Sequence, residues 1–434
     1  MPRKCFVPVE SWEFASPELL LSGKHTDIGL LAEALVLFDD IVLNIQSAQN
    51  LADILRSFKG CFGDVQPFLE LVGLGVIKVH YFDFISAPIE DDGVYSYWNI
   101  QDETAKESHL RSFQQKILYR PPIQKVLPKA RHRVKLYNIM AESALIDGAD
   151  EYEVAVDAAR NAINSHEDLQ RLLRDFVLSL PSKYRSLFPP EITVGAEKMP
   201  NGLIRHRFNI NFQAIKPHLE NMNFGIHIPG TGVIQTHRII YASRLHNYDV
   251  YLPNPIGSSV MAKLNSLEDK EKKFKQTIVE LQDNANFPDI RTAFNLGEFS
   301  WKDILDIRKR AERFRKWFMV DGGKPEVAIR TYSEEFKAST GLKNYREKAF
   351  AIASIIGTVT GAATEKMLTG STSLVGPAAG AFISTALGPS LGTLISNAVP
   401  LAKDLFKASE EENWHPRFFG TWLNVELKKR KTSE

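Results

Sequence analysis

The sequence predicts an α+β fold that is predominantly α-helical, and three observations support this prediction. Residues 30–82 alternate between strand-like and helix-like segments, which indicates a small N-terminal α/β unit. An Asn-Gly pair at residues 201–202 separates two strand-like segments and predicts a central β-hairpin. Residues 349–406 are rich in glycine, alanine and serine and indicate a C-terminal hydrophobic helical module. We therefore expect three domains: the α/β unit at 1–100, a mainly helical middle region at 101–340, and the module with a basic tail at 341–434.

The N-terminal α/β unit is expected to begin with strand-like apolar runs at residues 35–38 and 41–43. Ser47 is placed to cap a following helix, and Gly60 is placed to end it. A second short helix and then a strand at residues 75–81 follow. The order strand, helix, helix, strand predicts a parallel pair of strands in an α/β layer.

The central hairpin is expected near residues 191–213. From residue 207 onwards polar and apolar side chains alternate, so that Phe208, Ile210 and Phe212 share one face. Such alternation is typical of a strand with one buried face. The pattern therefore predicts a half-buried antiparallel hairpin.

Composition and charge are those of an ordinary globular protein. Of the 434 residues, 44% are hydrophobic and 24% are charged, enough to bury a sizeable core. The 53 basic and 52 acidic side chains leave a net charge of +1, so only local patches of charge can indicate a partner. Cys5 and Cys61 provide neither a disulfide framework nor a metal cluster.

Glu10 and Glu13 interrupt the apolar run that a signal peptide would need, so we expect a cytoplasmic protein. We expect it to be membrane-associated if the C-terminal module reaches a bilayer.

No motif for catalysis, cofactor binding or metal binding is found in the sequence. The chain has 11 histidines, but none forms the His-Glu-x-x-His arrangement of a helical metal site. His218, His227, His237 and His246 recur at intervals that match neither a helix face nor a ligand loop. Phosphate-binding Gly-Lys-Ser/Thr loops and Gly-x-Ser-x-Gly elbows are also missing. We therefore expect no cofactor and no metal and favour a non-enzymatic protein.

A basic stretch at residues 108–141, which contains no acidic residue, is the first candidate binding surface. Its cations are Arg111, Lys116, Arg120, Lys125, Lys129, Arg131, Arg133 and Lys135. An excess of this kind suits nucleic acid or lipid headgroups. Tyr119, His132 and Tyr137 could stack on the bases of a single strand. The alternative is that the cations neutralise the acidic stretch that follows at residues 142–157.

A second basic element is predicted as a helix over residues 301–318, with Ser300 as its N-cap and Asp303 three residues further on. Seven cations in this segment outweigh three acidic residues and leave a net charge of +4. Apolar residues spaced three and four apart form a stripe: Ile304, Ile307, Ala311, Phe314 and Phe318. Such a stripe either packs into the protein core or lies on a membrane surface.

The C-terminal module differs from the rest of the chain in its lack of charge. Residues 349–364 are uncharged, and after one Glu-Lys pair residues 367–402 are uncharged over 36 positions. Glycines four residues apart share a helix face and let two backbones approach closely. These are Gly357 and Gly361, Gly376 and Gly380, and Gly388 and Gly392. Because Pro377 and Pro389 interrupt the longer run, membrane insertion and a buried soluble hairpin both remain open.

These features support three functional hypotheses. The leading one is a non-enzymatic protein that contacts or enters a membrane through its C-terminal module, under the control of its upstream soluble domains. The alternative is a nucleic-acid-binding protein that uses residues 108–141 and keeps its C-terminal module as a soluble helical hairpin. A third is an enzyme whose site is assembled from residues distant in sequence. A homo-oligomer is compatible with each.

Overall fold

The computed structural model describes residues 4–9, 26–45, 47–81, 89–91, 94–96, 118–145, 164–200, 204–219, 242–243, 245–251, 287–321, 419–420, 422–424 and 426–427. By its internal contacts the chain divides into two compact units, Met1–Lys275 and Gln276–Glu434. The described residues are of mixed α/β character, and helix predominates. The two boundaries between the three domains expected from the sequence stay predictions.

The strands of the described residues are β1 (Lys4–Val7), β2 (Asp40–Ile45), β3 (Ile77–Tyr81), β4 (Ile89–Asp91), β5 (Val94–Ser96), β6 (Ala144–Leu145), β7 (Val194–Lys198), β8 (Ile204–Phe208) and β9 (Asp249–Val250). The helices are α1 (Ile28–Leu37), α2 (Ala48–Phe62), α3 (Gln66–Gly73), α4 (Pro121–Val126), α5 (Ala130–Glu142), α6 (His166–Ser179), α7 (Ser182–Arg185), α8 (Phe212–Ile215), α9 (Ile290–Asn295), α10 (Trp301–Arg310) and α11 (Glu312–Asp321). A 3₁₀ turn, Lys216–Leu219, follows α8.

A five-stranded parallel sheet in the first unit has the order β6-β3-β2-β1-β9. The pairing of β2 with β3, in which Ile41 lies opposite Ile77, confirms the predicted parallel pair. Strands β1, β2, β3 and β6 follow one another in a single direction across the sheet, and β9 lies on the other side of β1. This reversal is the topological switch of doubly wound α/β sheets.

Side chains on both faces of the central strands are buried, as a parallel sheet requires. Phe6 and Val42 pack with Tyr248 in one apolar cluster. Helices α1, α2 and α3 contact strands β1, β2 and β3. The hydroxyl of Tyr251, just after β9, donates to the buried carboxylate of Glu33 on α1 at 2.7 Å. Tyr251 therefore joins the core that α1 and the strands form around the sheet.

The prediction of a strand at residues 35–38 is wrong, because these residues form the end of α1 and its C-cap Phe38. The side chain of Asp27 caps this helix by accepting a hydrogen bond from the backbone N–H of Leu30 at 3.0 Å. All but the first of its residues are buried. The apolar run is therefore continuous, and a continuous run does not distinguish a buried helix from a buried strand.

Helix α2 begins where the sequence predicts and ends later. The hydroxyl oxygen of Ser47 accepts from the backbone N–H of Asn50 at 3.1 Å, which confirms Ser47 as the N-cap. The helix continues through Gly60 and ends at Gly63, whose φ of 83° is left-handed. The glycine that the helix end requires is therefore Gly63, since a side chain is strained at positive φ.

The predicted hairpin is confirmed as the antiparallel pair of β7 and β8, with Val194 opposite Phe208. It belongs to a four-stranded sheet of order β4-β5-β8-β7. Strand β8 ends at Phe208, before residue 213, where the predicted hairpin ends. The chain turns there because the side chain of Asn211 caps α8 by accepting from the backbone N–H of Ala214 at 3.0 Å.

The predicted apolar stripe of residues 301–318 packs into the core of the second unit. Its five side chains are at most 3% exposed. The ring of Phe314 lies 5.2 Å from that of Phe287 and 4.8 Å from that of Phe419, measured between centroids. These contacts confirm packing of the stripe into the core. The single predicted helix is two helices, because α10 ends at Ala311 before α11 begins.

Candidate anion-binding surface

The described part of the basic stretch folds into α4 and α5. Helix α4 contacts α2, and α5 contacts α3. Buried residues anchor both helices: Ile123, Val126, Leu136 and Met140. Six predicted cations fall on this surface: Arg120, Lys125, Lys129, Arg131, Arg133 and Lys135. Arg111 and Lys116 lie outside the described residues. We call these two helices, with the residues that join them and Arg120, the α4–α5 surface.

Most cations of the α4–α5 surface face solvent, and the exposed ones pair with none of the described carboxylates. The exposed ones are Arg120, Lys125, Lys129, Arg131 and Lys135. None of these five forms an ion pair with another described residue. Glu142, the only described acidic residue of the following stretch, is not among their partners. Within the described residues, neutralisation by that stretch therefore has no support.

Arg133 differs from the other cations because it holds the surface together. Its Nη1 donates to the carbonyl oxygens of Leu127 and Pro128 at 2.7 and 2.8 Å, in the link between α4 and α5. Its guanidinium lies 6.0 Å from the ring centroid of Tyr119. Arg133 is half-buried, so its replacement would disturb the fold as well as the surface charge.

Two lysines tie the α4–α5 surface to the helices beneath it. Lys59 of α2 donates to the carbonyl oxygen of Val126 at 2.9 Å. Val126 is the last residue of α4, so its carbonyl group has no N–H partner within that helix. Lys135 donates to the side-chain oxygen of Gln66 at 2.8 Å. The cations left with no such tie are Arg120, Lys125, Lys129 and Arg131.

The N-terminus of α5 concentrates positive charge where a helix disfavours it. Lys129 is the N-cap and provides no side-chain acceptor for the first backbone N–H groups. Arg131 and His132 follow in the first turn, and both are exposed. Cations near a helix N-terminus are each unfavourable by about 0.3–1 kcal/mol. An anion bound there would offset this repulsion and accept hydrogen bonds from the same side chains.

Two of the three rings predicted to stack are accessible on the α4–α5 surface. Tyr119 is 42% exposed, and His132 is exposed beside Arg131. Tyr137 is half-buried. The surface therefore combines exposed cations with exposed rings, the two features on which binding of single-stranded nucleic acids relies.

The predicted helix-packing or membrane residues lie outside the described part of the chain. These are Gly357, Gly361, Gly376, Gly380, Gly388 and Gly392. Among the helices that are described, none is both long enough and apolar enough to cross a membrane.

A buried polar pair near the carboxyl ends of β2 and β3 was not predicted from the sequence. Nδ1 of His80 donates to Oδ1 of Asn44 at 3.1 Å, and each residue is 2% exposed. The ring of His246 lies 5.8 Å from that of His80 between centroids. The parallel register places Asn44 opposite His80, and no motif in the sequence links residues so far apart. No group of three or more metal-binding side chains occurs among the described residues.

Comparison with known protein families, with curated proteins and with solved structures finds no match to this chain.

Proposed function

We propose that this chain is a non-enzymatic protein that contacts membranes through its C-terminal hydrophobic module, under the control of its upstream domains. The observation that carries the proposal is the absence of charge over the 36 positions 367–402, in a chain that is otherwise 24% charged. Glycines cost about 1 kcal/mol each relative to alanine in a water-exposed helix. Their repeated spacing of four residues is instead typical of helices that pack closely in a bilayer.

Flotation of the full chain with phosphatidylcholine vesicles tests this proposal. Ending the chain at Gly341 would be a poor comparison, because it removes Phe419, which packs on Phe314. A single substitution, Leu387→Asp, is cleaner. A carboxylate at the centre of a membrane helix costs about 2.5–3.5 kcal/mol, so we expect a loss of bilayer binding of roughly 100-fold.

Leu178→Asp is the matched control for Leu387→Asp. Leu178 is 56% exposed on α6, so the same change there adds the same charge without touching the module. We expect this variant to float like the parent chain. A parent chain that stays in the soluble fraction with every vesicle would contradict the proposal.

Nucleic-acid binding by the α4–α5 surface is the second candidate function. It is favoured by one observation: this surface carries exposed cations, none of them in an ion pair with another described residue, together with the exposed ring of Tyr119. Under this candidate the C-terminal module is a soluble hairpin. The ligand class is a single strand, whose phosphates meet the cations and whose bases stack on the ring.

Binding of a labelled single-stranded oligonucleotide at several salt concentrations tests this candidate. The variant is the triple change Lys125→Gln, Lys129→Gln and Arg131→Gln, which leaves Arg133 and the link that it holds intact. Each lost phosphate contact lowers the slope of log affinity against log salt by about 0.7, so we expect a decrease of about 2.

The control has the same loss of charge elsewhere in the first unit: Lys183→Gln, Lys198→Gln and Lys216→Gln, three exposed lysines. We expect its affinity and salt slope to match those of the parent. Equal losses in both triple variants would show only a dependence on net charge and would count against a defined surface.

A further inference from the structure

A row of cations on α10 and α11 forms a second basic surface. Lys302, Lys309, Arg313 and Lys316 are exposed, and they lie seven, four and three residues apart. Lys302 and Lys309 lie two turns apart on α10, and Arg313 and Lys316 lie one turn apart on α11, so each pair shares a side of its own helix. The opposite side carries the buried stripe from Ile304 to Phe318. We call these four cations the basic ridge.

Counted by side-chain type, the exposed surface of residues 301–318 is positive. Within residues 301–318, five exposed cations face two exposed carboxylates, which leaves three positive charges in excess. Both carboxylates pair along the helix, Asp306 with Arg310 at 3.1 Å and Glu312 with Lys316 at 2.7 Å. The third acidic residue, Asp303, is engaged in the capping box at the start of α10.

The described rings of the second unit are turned away from solvent. Arg310 lies over the ring of Trp422, 5.1 Å from its centroid, and covers it. Phe294 and Trp317 are half-buried, and the other described rings of the unit are buried. Among these residues the ridge therefore has no exposed ring on which a base could stack. In this it differs from the α4–α5 surface with its exposed Tyr119.

We propose that the basic ridge docks the second unit on anionic lipid headgroups. The inference rests on the proposed membrane contact and adds a headgroup charge to it. Along α10 alone, Lys302 and Lys309 are about 10 Å apart at 1.5 Å per residue, enough to meet more than one headgroup. Each cation held at an anionic bilayer strengthens binding about fivefold. The residues of the hydrophobic module fall within the same compact unit, Gln276–Glu434.

Packing of α10 and α11 keeps the ridge facing outwards. Phe314 and Phe318 are buried on the opposite side, with ring centroids 6.0 Å apart. The helices therefore cannot roll over to bury their apolar side in a bilayer without opening this core. Contact with the membrane surface is left to the cations, which need only charge complementarity.

The test compares binding of the full chain to vesicles of phosphatidylcholine alone and of phosphatidylcholine with phosphatidylserine. The ridge variant is Lys302→Gln, Lys309→Gln and Arg313→Gln, and the matched control is the triple change Lys183→Gln, Lys198→Gln and Lys216→Gln described above, with the same loss of charge. We expect phosphatidylserine to strengthen binding of the parent. The ridge variant should lose about 100-fold in binding to phosphatidylserine vesicles, while its binding to phosphatidylcholine alone stays unchanged. Thermal unfolding checks that both variants are folded.

Each other outcome overturns the inference in a different way. Equal binding of the parent to both vesicles, unaffected by the ridge variant, rejects headgroup docking and leaves the membrane proposal standing. Binding to neither vesicle rejects both. Equal losses in the ridge variant and in the Lys183, Lys198 and Lys216 control assign the effect to net charge, and a ridge variant that loses oligonucleotide binding alone assigns the ridge to nucleic acid.

Discussion

The guanidinium of Arg315 on α11 donates to the carbonyl oxygen of Arg308 on α10, with Nη1 and the oxygen 2.7 Å apart. Arg308 lies in the last turn of α10, where carbonyl groups lack a helical partner. One helix is thus capped by a cation of the next, across the break at Ala311. Arg315 is only 6% exposed, so it belongs to the interior. In the sequence it is one of seven cations in residues 301–318, and nothing there distinguishes it from the exposed ones.

Replacing Arg315 with methionine should destabilise the second unit. The change keeps an unbranched side chain but removes a bond made by a charged donor, and it leaves the carbonyl of Arg308 without that partner. We expect a loss of about 1.5–3 kcal/mol in the free energy of unfolding, measured by denaturant titration. Lys309→Met, at an exposed position on α10, should change it by less than about 0.5 kcal/mol. Equal effects at the two positions would contradict the capping role.

Two glycines three residues apart, one inside α2 and one at its C-cap, should respond to alanine with opposite signs. Gly60 lies inside the helix and an added Cβ meets nothing within 4 Å, so Gly60→Ala should stabilise the fold by about 0.5–1 kcal/mol. Gly63 also has open space but a φ of 83°, so Gly63→Ala should destabilise it by about 1 kcal/mol. Denaturant titration of both variants checks the signs, and stabilisation at Gly63 would show that the helix ends elsewhere.

Loss of the amide of Asn44 should weaken the core of the parallel sheet. Asn44→Ala removes the acceptor of the buried His80 imidazole and leaves a small cavity. We expect a cost of about 1–3 kcal/mol in the free energy of unfolding. Asn138→Ala, on the exposed side of α5, is the control and should be neutral or slightly stabilising, since alanine favours helix. If the two variants unfold alike, the hydrogen bond contributes nothing.

The hydrogen bond and charge of Lys316 hold the pKa of Glu312 below its usual range. A carboxyl with a lowered folded-state pKa adds stability above its unfolded-state pKa and loses it as the pH falls through the lowered value. Lys316→Gln should therefore raise the pKa of Glu312, as followed by NMR titration of its side-chain carboxyl carbon. Both residues are exposed, so the accompanying change in stability should not exceed about 0.5 kcal/mol. An unchanged pKa would show that the pair is not formed in solution.

Local patterns predicted the elements that depend on neighbours in the sequence. Ser47 and Ser300 were identified as N-caps because a hydroxyl reaches a backbone N–H three residues on, and both caps are present. The stripe on residues 301–318 was identified because helical spacing alone decides which side chains share a face. The hairpin was identified because Asn-Gly favours a tight turn between alternating strands.

Predictions that depended on which segments pack around a residue were wrong or incomplete. Residues 35–38 form a helix because Asp27 caps it and the core covers it on all sides, and neither condition appears in a run of apolar letters. The sequence could not separate Arg133 and Arg315, which hold backbone carbonyls, from the exposed cations beside them. Charge is a property of a residue type, whereas burial depends on what packs around it.

By itself, the sequence determined the mixed α/β class, the parallel strand pair, the hairpin, two helix caps and the lack of charge in residues 349–364 and 367–402. Tertiary structure alone decided that Asn44 meets His80, that β9 joins the sheet beside β1, and which cations face solvent. The physical reason is how far apart along the chain the interacting residues lie. Turns and caps are closed by atoms a few residues apart, whereas sheet order and burial are set by contacts between segments that only the folded chain brings together.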